Sequence, residues 1–226
     1  MKGKFMELTL ENIRINEEIK TYIRRADESL AALGYTEHGF AHVMKSAVVA
    51  GEILKTLGYS EKDVELSMVA GYLHDIGNVV NRADHAQSGA ILAFTILREM
   101  GATPQELSTV ITAIGNHDEH TAFPVNPVAA ALIIADKTDV RRTRVRSKDA
   151  STFDIHDRVN YSVFESKVNV IPGDDAVIEL SLKIDTDMCS VSEYFEIFLE
   201  RMILCRKSAT VLNAQFRLVI NGQRLM

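Results

Sequence analysis

Histidine is unevenly spread along this chain. The seven histidines stand at 38, 42, 74, 85, 117, 120 and 156, so six of the seven fall between residues 38 and 120. Most of these sit at or near the ends of helical-looking stretches. His74 and Asp75 follow the apolar run MVAGYL, which makes them emerge together at the end of a buried helix. The negative end of a helix dipole favours a cation there. The ordinary alternative is a satisfied core histidine beside a terminal aspartate, but a carboxylate at a buried helix end is costly without a partner. Asp136 poses the same problem more sharply, because it interrupts the apolar run AALIIADK. A carboxylate in such a setting calls for a cation. His42 lies at the shoulder of an apolar stripe, His85 in ADHAQSG at a helix start, and His117 just after Gly115-Asn116. Each of these three, taken alone, also reads as a structural residue.

The elements that must hold these groups are helical up to about residue 148. Asn16 to Leu33 carries apolar residues at Ile19, Tyr22, Ile23 and Leu30, with Gly34 after it as a stop. A second helix is predicted from about His42 to Leu57, and a third, begun by Ser60-Glu61-Lys62-Asp63, is apolar nearly all round and should be buried. Asp84 is placed to cap a fourth, which runs to Met100. Thr103-Pro104-Gln105-Glu106 starts a fifth, and Asn126-Pro127 a sixth. Texture changes near Lys148 to Thr152. SKVNVI and AVIELSLKID read as strands joined at Pro172-Gly173-Asp174; Ser192 to about Asn213 reads as a helix, and QFRLVI as a strand. The expected fold is therefore mainly α: residues 1–150 form a helical bundle, and residues 151–226 a small α+β (β-β-α-β) subdomain.

His42, then His74-Asp75, then Asp136 resembles the H…HD…D signature of the HD-domain metal-dependent phosphohydrolase superfamily, and LHDIGN and LIIADKTD are similar to that family's motif contexts. The likeness covers roughly residues 36–145, and the family's helical bundle agrees with the helices read above. It implies that one metal takes His42, His74, Asp75 and Asp136. A second takes His85 and His117, with Asp75 bridging. Asp118 stands where two-metal subgroups often have another histidine. Nitrogen and oxygen donors without thiolate suit two divalent cations among Fe, Mn, Co, Ni and Zn. Such a pair activates a water and offsets charge on a phosphoryl group. The implied function is a metal-dependent phosphohydrolase or phosphodiesterase for a nucleotide or similar small phosphoester. Asp75 is the central catalytic carboxylate, and His38, four residues before His42, is expected to donate a proton to the leaving group or to contact phosphate.

Substrate anions need positive charge. Lys137, Arg141, Arg142, Arg144, Arg146 and Lys148 cluster just after Asp136. Lys137, Arg141, Arg142 and Arg144 are expected to bind substrate, with Arg141 and Arg142 favoured by their nearness in sequence to Asp136. A solvated helix end is the competing explanation. His120 is expected to line the pocket, and His156, outside the matching stretch, to be structural or exposed. Two other functions use the same scaffold: a diiron oxygenase, and a regulatory module that binds metal or nucleotide without turnover. No Walker loop, GxGxxG or GxSxG is present, which gives ATPase, dinucleotide-dependent and serine-hydrolase readings no support.

Composition narrows the rest. The 226 residues carry 25 Lys+Arg against 31 Asp+Glu, a net charge of −6, so nucleic acid is not an expected partner. No apolar run approaches the roughly 18–20 residues of a membrane helix, and Cys189 and Cys205 read as reduced, buried hydrophobes of a cytoplasmic protein. Residues 151–226 offer too few strands to bury both faces of a sheet alone. They are expected to pack on the helical part or on a second copy, as a homodimer.

Overall fold

The structure, a computed structural model, describes residues 7–226. Two short-linked helices open the chain, α1 (Leu10–Arg14) and α2 (Glu17–Ala32). The bundle proper follows: α3 (Phe40–Thr56), α4 (Glu61–Leu73), α5 (His85–Glu99), α6 (Pro104–Gly115) and α7 (Pro127–Lys137). The last third holds α8 (Ile155–Ser162), β1 (Val163–Ile171), β2 (Val177–Ile184), α9 (Val191–Val211), β3 (Gln215–Ile220) and β4 (Gln223–Arg224). The fold is thus mainly α with a small C-terminal sheet.

Local chemistry sets most of these boundaries. Ser60, Thr103, Asn126 and Ser190 each accept a backbone N–H of the following helix, and Thr103 and Ser190 form full capping boxes with Glu106 and Glu193. Asp84 departs from its expected role. Its φ of 55° is left-handed, and its side chain takes no cap hydrogen bond from α5. Helix α8 was not expected from the sequence; Asp154 caps it by accepting from the Asp157 N–H.

Helix α7 is the axis of the bundle. Every residue from Val128 to Ala135 is at most 2% exposed, so the helix is apolar all round, and α3, α4, α6 and α9 pack around it. Glycine sets two close approaches. A Cβ at Gly71 of α4 would lie 2.7 Å from the backbone of Ala47 on α3, and one at Gly77 would lie 2.0 Å from the His85 carbonyl. Only glycine permits both contacts. They hold α4 against the middle of α3, and the turn after α4 against the start of α5.

The sheet runs in the order β1-β2-β3-β4. β1 and β2 pair antiparallel, β2 and β3 parallel, with α9 as the crossover, and β3 and β4 form a final hairpin. Asn221 and Gly222 at its turn have φ of 50° and 82°, as a type I′ turn requires. α9 covers one face of this sheet and rests with its other side on α7. Phe198, Met202, Leu180 and Leu218 join the same buried cluster as the bundle's Ile53, Leu73 and Ile134. Cys189 and Cys205 are both free and buried.

Candidate metal centre

Each of the four histidines at the bundle's focus is oriented by its own backbone or a carboxylate. The Nδ1–H of His74 donates to the Gly71 carbonyl (2.8 Å), that of His85 to Arg82 (3.1 Å), and that of His117 to Ile114 (2.6 Å). The Nδ1–H of His42 donates to Asp139 Oδ2 at 2.8 Å. Carbonyl and carboxylate oxygens only accept, so all four Nδ1 atoms carry the proton, and in the neutral ring each Nε2 is a bare lone pair. Those bare atoms face one another in pairs, His42 to His74 at 3.2 Å and His85 to His117 at 3.2 Å. Two lone pairs at that separation repel unless a cation lies between them.

The carboxylates complete two groups. Asp75 Oδ2 lies 3.6 Å from His42 Nε2 and 3.3 Å from His74 Nε2, while its Oδ1 lies 3.5 Å from His85 Nε2 and 3.9 Å from His117 Nε2. One carboxylate therefore spans both histidine pairs. Asn78 Nδ2 donates to its Oδ1 at 2.9 Å and fixes its rotation. Asp136 Oδ1 joins the first pair, 3.3 Å from His42 and 3.7 Å from His74. Asp118 Oδ1 reaches 4.0 Å from His85 Nε2 on the side of the second. His42, His74 and Asp136 form one ligand-spaced group; His74, Asp75 and His117 form another. The donor set of imidazole nitrogens and carboxylate oxygens, all aimed inward, fits divalent transition metals.

Electrostatics agree with that chemistry. Burial alone would raise the pKa of Asp75, but His74 and His117 outweigh it and hold the carboxyl well below its ordinary value. Burial likewise acts upward on Asp136, where Lys137 and the imidazoles of His42 and His74 win and drive the pKa far down. Burial pushes His85 down to about 4 and lowers His117. For His74, burial acts downward, and the charges of Asp75 and Asp136 more than offset it, leaving the pKa raised.

A cavity of about 300 Å³ opens over the group, with Asp75, His85, His117 and Asp136 on its floor. Lys137 and Arg144, both expected to bind substrate, line it. Lys137 Nζ sits 2.7 Å from Asp136 Oδ2. Arg144 donates to the carbonyls of Glu37 and Asp139, each at 2.9 Å. Arg141 and Arg142, favoured from sequence, do not line the cavity. Arg141 adopts an extended backbone that turns the chain aside and pairs with Asp139 at 2.9 Å. Arg142 donates to the Tyr161 carbonyl and stacks on Tyr161 and Phe164 at 4.4 and 4.3 Å. Nearness in the chain to Asp136 was a poor guide, because α7 ends between them. His120 is exposed and lies off the cavity.

His38 does line the cavity. Its Nδ1–H donates to the Thr36 carbonyl at 2.7 Å. Burial, then the charge of Arg144, holds its pKa well below the usual histidine value. With its Nδ1–H engaged and its protonation disfavoured, His38 leaves Nε2 for the role of a hydrogen-bond acceptor. Several groups escaped the sequence reading. Arg82 lines the cavity, stacked on Tyr35 at 5.3 Å. His156, Asn160 and Arg201 form its opposite wall. Asp139, fully buried, orients His42 from 97 residues away and also receives Lys45 Nζ at 3.0 Å. The pair Thr138-Asp139 directly follows Asp136-Lys137, and that second buried aspartate was the available signal.

A family model described as the HD domain matches residues 39–157, which span His42, His74, Asp75, His85, His117 and Asp136. The chain belongs to the HD domain family. Among its relatives, an uncharacterized protein of Methanocaldococcus jannaschii is 26% identical over 190 residues, covering 74% of this chain and 72% of that one. Ribonuclease Y of Opitutus terrae is 29% identical over 119 residues, and that of Enterococcus faecalis 30% identical over 123. Each ribonuclease match covers 53% of this chain, and the HD domain chain spans only 21% of either enzyme's length. A crystal structure of a predicted HD superfamily hydrolase from an uncultured Thermotogales bacterium is 26% identical, covers 55% of this chain and 67% of that one, and has a TM-score of 0.43. No helix among the described residues is long and apolar enough to cross a membrane.

Proposed function

We propose that this HD domain protein is a metal-dependent phosphohydrolase for a small phosphoester, a nucleotide or a molecule like one. The observation that carries the reading is the pairing of bare Nε2 atoms, His42 with His74 and His85 with His117, across the single carboxylate of Asp75. His42, His74, Asp75 and Asp136 would hold one divalent cation; His85, His117 and Asp75 would hold a second, with Asp118 beside it. Cations so held lower the pKa of a water to near neutral and neutralise charge gathering on phosphoryl oxygens.

The chain's own residues supply the remainder. Arg82, Lys137 and Arg144 line the cavity above the floor and present cations to a phosphoryl group. Lys137 is also tied to Asp136, so an incoming oxyanion shares a cation that is already positioned. His38, neutral and accepting at Nε2, takes a hydrogen bond from the attacking water or from a substrate hydroxyl. Asp75, His85 and His117, almost wholly buried, need little rearrangement on binding, which favours preorganised electrostatic stabilisation.

The test is phosphate release from a panel of nucleotides and simple phosphoesters, using protein loaded separately with Mn, Fe, Co, Ni or Zn, beside Asp75→Ala. Release that depends on metal and vanishes in the variant is expected. Equal release from Asp75→Ala would overturn the reading.

A further inference from the structure

The cavity is chemically two-sided. Its floor and near wall carry the ligand cluster with Arg82, Lys137 and Arg144. Its far wall comes from the C-terminal third, where Asp154, Asp157 and Asn160 of the α8 region line the same space. The carboxylates of Asp154 and Asp157 and the Oδ1 of Asn160 are hydrogen-bond acceptors. Asn160 is 7% exposed. Its Nδ2 donates to the His156 carbonyl at 2.9 Å, which fixes the amide orientation, and its Oδ1 has no partner among the described residues. Asn160 lines the cavity, and its Oδ1 stays open to water, so a hydroxyl donor brought by a ligand would take the place of a water there. Asp157 adds a second acceptor, partly shielded from water and held close to Asp154 by the cap of α8. His156 and Arg201 share this wall; the Arg201 Nε is paired with Glu119 Oε2 at 2.7 Å and its guanidinium stacks on Phe198 at 4.6 Å.

We infer that α8 is the specificity wall of the site: Asn160 and Asp157 accept hydrogen bonds from hydroxyl groups on the non-phosphate end of the substrate. This rests on the phosphoester reading and narrows it to a phosphorylated polyol, with ribose as its model, in a single unit. The volume, about 300 Å³, lies at the small end of ligand pockets and suits one sugar phosphate or mononucleotide. A ligand bound this way would set its phosphate toward Arg82, Lys137 and Arg144 and its hydroxyls against the acceptors, so each end meets its complement. A site built to bond hydroxyls rejects analogues that lack them far more strongly than an apolar site distinguishes shapes.

The test compares wild type with Asn160→Leu and Asp157→Ala, neither of which touches the ligand cluster. Substrates are ribose 5-phosphate, a ribonucleoside monophosphate, its 2′-deoxy analogue and p-nitrophenyl phosphate. Both variants are expected to lose about tenfold or more in kcat/KM on the hydroxyl-bearing substrates, chiefly through KM, and to change less than about threefold on p-nitrophenyl phosphate. Wild type should prefer the ribo over the deoxy form or the pentose phosphate over both, and Asn160→Leu should erase that preference. Equal losses on every substrate, or none on any, would overturn the inference. Thermal-shift titration with the same ligands separates the two claims. A hydroxyl preference in binding that Asn160→Leu erases, with no phosphate released, would keep the wall and overturn the reaction. Phosphate release with no ligand preference would do the reverse.

Discussion

Replacing Asp139 with asparagine changes one charge and almost no volume, yet it should weaken the metal centre. Asp139 is fully buried and receives His42 Nδ1 at 2.8 Å, Lys45 Nζ at 3.0 Å and Arg141 Nε at 2.9 Å. Burial would raise its pKa, but the His42 hydrogen bond and Arg144 drive it far below the ordinary range, so it is a full anion at every useful pH. An asparagine has one accepting oxygen to offer. If that oxygen meets His42, the amide NH₂ meets Lys45 or Arg141, donor against donor. If the NH₂ meets His42 instead, Nδ1 must give up its proton, which moves to Nε2 and removes the lone pair aimed at the metal. Either arrangement costs affinity. Loss of a partner that orients a ligand histidine costs about 10–100-fold, or about 1.4–2.7 kcal/mol. Calorimetric titration of metal-stripped protein with Zn²⁺ or Mn²⁺ reads this directly. Glu37→Gln is the control, because Glu37 also pairs with Arg141, at 3.4 Å, but does not touch His42. Affinity within twofold of wild type in a folded Asp139→Asn protein would refute the reasoning.

Other outcomes follow from the same contacts. Gly71→Ala puts a Cβ 2.7 Å from the Ala47 backbone and must push α3 from α4; a loss of about 1–3 kcal/mol in urea unfolding is expected, together with weakened metal binding, and unchanged stability would contradict it. In metal-stripped protein, His85 has a folded pKa of about 4, and His117 and His38 are also lowered. The unfolded chain therefore binds more protons below about pH 6.5, and stability should fall as pH drops toward 4. His74, whose pKa is raised, opposes this in part. The depressed Asp75 and Asp136 add a further loss below about pH 4. Melting temperatures that rise from pH 7 to 4.5 would contradict the sign. Arg142→Ala removes a guanidinium stacked on Tyr161 and Phe164, outside the cavity; a stability loss on the order of 1 kcal/mol with unchanged KM is expected, and a large KM increase would return Arg142 to the site.

Part of the His/Asp cluster was readable in the chain because it breaks a local rule, while His42, His85 and His117 read as structural residues when taken alone. His74-Asp75 ends a buried helix, and Asp136 interrupts an apolar one, so both advertise a missing cation. Helix starts were readable for a similar reason: Ser60, Thr103 and Asn126 are local signals with local partners, whereas the cap of α9, Ser190, lies two residues before the start read at Ser192. What was lost depends on distance in the chain. Asp139 serves His42, 97 residues earlier. Asn160 and Arg201 meet the cavity only because α8 and α9 fold back onto it. Arg141 and Arg142 misled because a short turn after α7 sends them away from the carboxylate they follow. Asn221-Gly222 was legible and passed over; an Asn-Gly pair after a strand announces a hairpin.

The most direct measurement titrates metal into stripped protein while following both bound equivalents and phosphate release, for wild type and Asp75→Ala. The expected result is two equivalents bound per chain, with phosphate release that depends on them, and loss of both tight binding and release in Asp75→Ala. Phosphate release that persists in chelator-treated protein or in Asp75→Ala would contradict a reaction centred on His42, His74, Asp75, His85, His117 and Asp136.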